Sequence, residues 1–272
     1  MKRLTLLVVT ALAGAVSVSA GCGNGSLLAS NPSVSADPGT VSAAATHHLS
    51  DDSELEADVD GFKTLVTDQG FTITIEEARL GWKELVLISG GEDPECVEGH
   101  DQTIALNKGE DLLAEDIVAS ELIDATVPMI AYCGYQIVFG PSTAASALIV
   151  DRSKSHEAGG EAEGTAVSEG ADGSLHLSGT WSKGGDSGAF DIRSTSGAVV
   201  EGTFQSEEDG EVIDHPLHFH EGETSVGVAF GTNYDVLFSG IDFQHDSEDA
   251  QAGKAVSNLV TAVHQDSVSH DN

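Results

Sequence analysis

Three histidines crowd one short stretch of this chain: His215, His218 and His220, in the run DHPLHFHEGE that begins at Asp214. Imidazole is the commonest protein ligand of late first-row metal ions. Leu217 and Phe219 alternate with His218 and His220, the period-2 pattern of a half-buried strand, which sends both imidazoles to one face. Two imidazoles spaced this way lie close enough to share one ion, and Asp214, Glu221 and Glu223 flank them as carboxylate donors. Pro216 interrupts the strand and turns His215 toward the same side. The expected ligands are therefore His218 and His220 with His215 or His176 as a third nitrogen, around copper or zinc. The competing reading is a solvated strand face that holds no ion, because HxH pairs are frequent outside metal sites.

The elements around this stretch must position it. Val226, Val228 and Phe230 predict a second strand after the polar turn EGET, and Tyr234, Leu237, Phe238 and Ile241 recur at helical spacing, predicting a short amphipathic helix that closes the sheet. Upstream, Phe71 to Ile75 and Leu85 to Ile88 are β-rich, with EEARLGW between them as a kinked continuation or bulge. A polar, acidic excursion with one helical turn near Leu112 runs on to Asp116. Strand character returns at Thr126 to Ile130, Tyr132 to Phe139 and Ala147 to Val150. Residues 153–172 form a Gly, Glu and Ala-rich insertion. Ser174 to Trp181, Ala189 to Arg193 and Val199 to Phe204 then follow, separated by the turns KGGDSG and STSGA. Short strands, Gly-rich turns and almost no long helix predict an all-β chain, an antiparallel β-sandwich with a short C-terminal helix near Asp249 to His264. The expected domain spans residues 59–247, after a flexible tether over 22–58 that includes His47 and His48, and before a helix and frayed tail over 248–272.

Composition narrows the partners. Forty-five acidic residues against eleven basic ones give a formal net charge of −34, which excludes nucleic acid as a natural partner and favours a cation, an electropositive protein or a high-salt surface. Catalytic chemistry finds no foothold: there is no phosphate-cradling glycine loop, no HExxH and no CxxCH. Gly185-Asp186-Ser187-Gly188 copies the surroundings of a serine-protease nucleophile, yet a Gly-Gly-Asp-Ser-Gly run between two strands is first of all a turn. The chain reads as a monomeric binding protein and not as an enzyme.

Lys2 and Arg3, then an apolar run from Leu4 to Val18, then Ser19-Ala20-Gly21-Cys22, have the three parts of an export signal. Small residues just before a cysteine resemble the lipobox of bacterial lipoproteins, with Ser19 where that family usually carries an aliphatic residue. The resemblance implies cleavage after residue 21, acylation of Cys22 and a lipid anchor in a membrane; Gly23, rather than Asp, implies the outer membrane, facing the periplasm or the cell surface. Cys96 and Cys133 would then be an even pair in an oxidising compartment, where a disulfide is the default. The alternative, two thiolate metal ligands, lacks a CxxC. The order of a strand ending in a turn and Cys96, an acidic loop, a Tyr-Cys strand and a long strand leading into YDVLFSGIDF resembles the exported β-sandwich lipoproteins of the methanobactin-partner, copper-binding periplasmic group. It covers most of residues 59–245 and implies copper at His218 and His220, with Trp82 or Trp181 beside them. The alternative is a structural or interaction lipoprotein of the envelope that holds no metal.

Overall fold

The computed structural model of the protein describes residues 37–50, 53–59, 61–91, 96–141, 173–208 and 211–270, all within the unit Ala36–Asn272. The export signal, Cys22, the strand expected at Ala147 to Val150 and the insertion over 153–172 lie outside these residues. In chain order the described strands are β1 (Pro38–His48), β2 (Leu55–Val59), β3 (Phe62–Val66), β4 (Thr72–Ile88), β5 (Gln102–Asp111), β6 (Ser120–Pro128) and β7 (Gly134–Phe139). They continue as β8 (Leu175–Lys183), β9 (Asp186–Ser194), β10 (Val199–Thr203), β11 (Gln205–Glu208), β12 (Glu211–Asp214) and β13 (Ser225–Asn233), followed by helix α1 (Glu248–Ala262) and strand β14 (Val263–His270).

The seventeen-residue β4 is the spine of an eight-stranded sheet. Its first half lies between β3 and β8, its second between β5 and β7. EEARLGW carries the chain from one half to the other, and the ladder slips there at Ile75/Glu77 and at Trp82/Glu84, the bulged continuation that its mixed pattern predicts. At the crossing Gly81 donates its N–H to Ser174 O (2.9 Å) and accepts from Gly140 N–H (3.0 Å). A Cβ at Gly81 would run into the Gly140 carbonyl, so only glycine lets three backbones meet. The second sheet has the order β14-β13-β1-β6. Its β1–β13 pair is parallel, from Thr40↔Ser225 to His48↔Asn233, the one departure from antiparallel pairing among the described ladders.

The two sheets pack face to face as an all-β, sandwich-like fold. Val41, Ala43 and Ala45 of β1 and Val226, Val228 and Phe230 of β13 point inward against Leu80, Trp82, Leu85 and Ile137 of the larger sheet. The ring of Phe230 meets Tyr135 at 5.0 Å and Trp82 at 6.4 Å between centroids, so aromatic contacts cross the interface. Helix α1 packs against β9 and a single 3₁₀ turn at Val236–Phe238. Its start is set by Ser247, whose side chain accepts from Ala250 N–H, and by Glu248 and Asp249 in the first turn. Gln251, Ala255, Leu259 and Ala262 form its buried face.

Four sequence expectations change. The segment read as a tether contains β1, a central strand of the second sheet; its inward apolar residues are only Val41, Ala43 and Ala45, followed by the buried Thr46 and His47, so neighbouring strands bury it and its own side chains give little amphipathic signal. The acidic excursion is strand β5, whose Ile104 and Leu106 are buried and whose Asn107 adopts φ 49° where β5 carries one residue more than β4. The amphipathic helix expected after β13 shortens to the 3₁₀ turn, although Leu237, Phe238 and Ile241 are fully buried as its spacing requires. The tail does not fray after the helix; it returns as β14 along β13.

A polar network runs through the core between the sheets. His47 and Glu110 side chains are each 2 % exposed. His47 Nδ1 lies 3.1 Å from Glu110 Oε1 and Nε2 lies 3.2 Å from the Ala114 carbonyl, while Trp82 Nε1–H donates to Glu110 Oε2 at 2.8 Å. Lys63 is equally buried; its ammonium donates to Leu112 O (3.0 Å) and pairs with Asp116, and Tyr234 Oη donates to the second Asp116 oxygen at 3.2 Å. Charges survive at this depth only when paired and hydrogen-bonded, and these groups supply each other.

Cys96 and Cys133 stand at disulfide distance, with Cα atoms 6.0 Å apart. The bond closes a loop 37 residues apart in sequence, which by chain entropy stabilises the fold by about 3 to 4 kcal/mol. The turn of GGDSG is a tight β8–β9 hairpin: Gly184 and Gly185 both have positive φ, and Ser187 pairs with Ser182 across the ladder. Ser187 is a strand residue, and His47 is held by Glu110 in the core.

Candidate metal centre

The segment after β12 is not the regular strand that its alternation predicts. Leu217 forms a lone bridge with Tyr132, exchanging N–H···O bonds of 2.8 and 2.9 Å, and a turn from His220 to Glu223 follows. The alternation still decides the side chains. Leu217 is 1 % exposed and Phe219 packs on the core, whereas His218 and His220 face outward. Pro216 supplies the bend, and its carbonyl lies 3.1 Å from His215 Nδ1 and 2.9 Å from His218 Nδ1. A carbonyl only accepts, so each ring donates from Nδ1, and in the neutral ring the lone pair through which imidazole binds a metal then sits on Nε2.

Ring centroids of His215 and His218 are 4.9 Å apart, and those of His218 and His220 are 4.6 Å apart. The fourth ring is His270, at the end of β14, whose pairing with Val226 carries it beside the loop. It lies 4.3 Å from His220 and 6.1 Å from His218 between centroids. Glu223 binds both segments: one carboxylate oxygen accepts from His220 N–H and lies 3.0 Å from His270 Nδ1. Desolvation pushes the Glu223 carboxyl up, but the His220 N–H and the His270 ring together outweigh it and hold it below the usual carboxylate range. Ligand atoms of His220, Glu223 and His270 all lie within 4.8 Å of one another. Through Glu223, His270 has the carboxylate–imidazole arrangement that orients metal-bound histidines. A cavity of about 800 Å³ opens beside the cluster, with His215, Pro216, Asp214, Tyr135 and Phe204 in its wall.

The structure therefore brings together His215, His218 and His220 and adds His270. It does not bring His176. That residue lies on β8, with Nδ1 3.3 Å from Glu77 and Nε2 3.0 Å from Asp191, in an ionic ladder that also holds Arg79 and Arg193. Both of its nitrogens face carboxylates already, and two guanidiniums beside them oppose a further cation. Nor do the tryptophans flank the cluster: Trp82 packs on Phe139 and Phe230, and Trp181 on Phe71. Thr203 and Gln205 both donate to Asp214 Oδ1, and of the flanking carboxylates it is Glu223 that lies with the imidazoles of His220 and His270. His48 and His264 face each other elsewhere, at 5.5 Å across Gly231. His270 carried no signal in its own sequence context, where it ends a tail of mixed polar residues.

The ladder around His176 has a testable consequence. The His176 hydrogen bond is the largest influence holding the Glu77 carboxyl low, and the Arg193 hydrogen bond the largest at Asp191. Both carboxylates have folded values below their unfolded ones, so their contribution is present near neutral pH and is lost as pH falls through the depressed values. His176→Ala is expected to shift the acid-unfolding midpoint upward, as followed by far-UV circular dichroism. A midpoint equal to that of the parent would show that this solvent-screened ladder contributes nothing.

Comparison of the chain with protein-family models, with curated proteins and with solved structures finds no match.

Proposed function

We propose that the protein is a lipid-anchored envelope protein that binds a copper or zinc ion at His220, Glu223 and His270, with His218 and His215 alongside as further imidazole donors. One observation carries the reading: four imidazoles from two distant segments are gathered with successive ring centroids 4.3 to 4.9 Å apart, and the Nδ1 partners of three of them leave Nε2 free. Nitrogen-rich sets of this kind suit Cu(II) and Zn(II) rather than hard ions such as Ca²⁺ or Mg²⁺. The charge of −34 raises the local concentration of any cation at the surface. The likeness to methanobactin-partner lipoproteins agrees with copper, and the Lys2 to Cys22 signal agrees with export and anchoring. The protein acts as a carrier or store of the ion and performs no catalysis.

The His270–Glu223 contact favours a second reading, in which that pair only fastens β14 in a structural or interaction lipoprotein. Electron paramagnetic resonance of the Cu(II)-loaded domain separates the two. Hyperfine splitting from several imidazole nitrogens, lost in His218→Ala and in His270→Ala but kept in His176→Ala, is the expected result; an oxygen-only spectrum overturns the metal centre. For the anchor, Cys22→Ser should abolish incorporation of an azido-fatty acid, and a variant that still carries label removes it.

A further inference from the structure

The last strand lies at a sheet edge, and its far end reaches the cluster. β14 lies at the edge of its sheet and pairs with β13 alone, from Thr232↔Val263 to Val226↔His270, with a slip between Ala229 and Phe230. Past Val263 its residues are exposed or half-exposed, and Val268 is the one among them that packs on the core. Its side-chain ties are Thr46 Oγ1, which donates to Asp266 (2.9 Å), Gln265, which exchanges hydrogen bonds with the Gln205 backbone, His264, whose ring meets His48 at 5.5 Å between centroids, and His270, which meets Glu223. An edge strand with little apolar burial opens locally at low cost. Its final residue is nonetheless the one that reaches the loop carrying His220 and Glu223, the segment from which β13 itself departs.

We infer that metal occupancy of this centre decides whether β14 stays on the sheet, a regulation that rests on the metal reading above. An ion bound by His220 and His270, with Glu223 on either, joins the start of β13 to the end of β14, so the C-terminal half of β14 cannot lift without breaking a metal–imidazole bond. The free energy of binding thereby adds to the local stability of the strand. In the metal-free chain β14 opens from His270 backward and bares the backbone N–H and C=O groups of β13 over Val226–Ala229, an edge open to pairing with another extended segment.

Hydrogen exchange of the whole mature chain, read by mass spectrometry in Zn(II) and in chelator, tests this. With free Zn(II) at about 100 times its Kd, amides of residues 264–270 should exchange about 100-fold more slowly than in chelator, while β4 and β7 exchange alike in both. In His270→Ala, saturated with Zn(II) through its remaining histidines, that protection should vanish; Glu223→Gln should reduce it with less effect on folding. Zinc bound at full stoichiometry with unchanged exchange at 264–270 overturns the inference and leaves the metal centre standing. Zinc that does not bind overturns both.

Discussion

Alanine at His218, His220 and His270 together is expected to weaken binding of Cu(II) or Zn(II) by about 100-fold or more. Removing even the outer partners of a metal ligand costs about 10- to 100-fold, and this variant removes three candidate ligands outright. Isothermal titration at high salt is the measurement, because an acidic surface binds cations through scattered carboxylates and that background is screened away. The parent should show one tight site and the variant none. Binding should also weaken as pH falls, because protons compete with the ion for the imidazole lone pairs. Loss at low pH without loss in the variant would point to other histidines, and equal affinity in both proteins at high salt would remove the site.

The second large effect is on stability. Glu110→Ala should cost about 3 to 5 kcal/mol, the scale of penalty for removing one partner from a buried, hydrogen-bonded carboxylate site. The variant strips the acceptor from Trp82 Nε1–H and the partner from His47 Nδ1, both in a region closed to water. Glu110→Gln should cost only about 1 kcal/mol. Its amide oxygen can accept from Trp82 while its NH₂ donates to His47 Nδ1, and the His47 Nε2–H still donates to the Ala114 carbonyl. Lys63 and Asp116 keep each other in either variant. Urea unfolding followed by tryptophan fluorescence reads both costs; equal losses for alanine and glutamine would show that volume, and not the polar network, sets the energy.

How much of this was legible from residue order follows the range of the forces involved. The strands β4, β7, β8, β9 and β13 announce themselves because each has large apolar residues at period two, and the turns between β8 and β9 because Gly184 and Gly185 supply positive φ. The outward set of His218 and His220 is legible too, since Leu217 and Phe219 between them must go inward whether or not the segment is a regular strand. The all-β class follows from these local patterns. What local pattern could not carry was decided by pairing across the chain. β1 is buried by β13 and β6 on its flanks rather than by bulky residues of its own, so its Ala, Ser and Thr read as tether. β5 is a strand because β4 offers it a ladder, despite charges at Lys108, Glu110 and Asp111. The imidazole that joins the cluster from a distant strand is the clearest case. His176 and His270 are alike as isolated residues; the β8–β9 ladder gives the first to Glu77 and Asp191, and the antiparallel register of β14 on β13 delivers the second, fifty residues beyond His220, to Glu223. Side-chain period is local and can be read from the chain, whereas register between distant strands is set by the packing of the whole sheet.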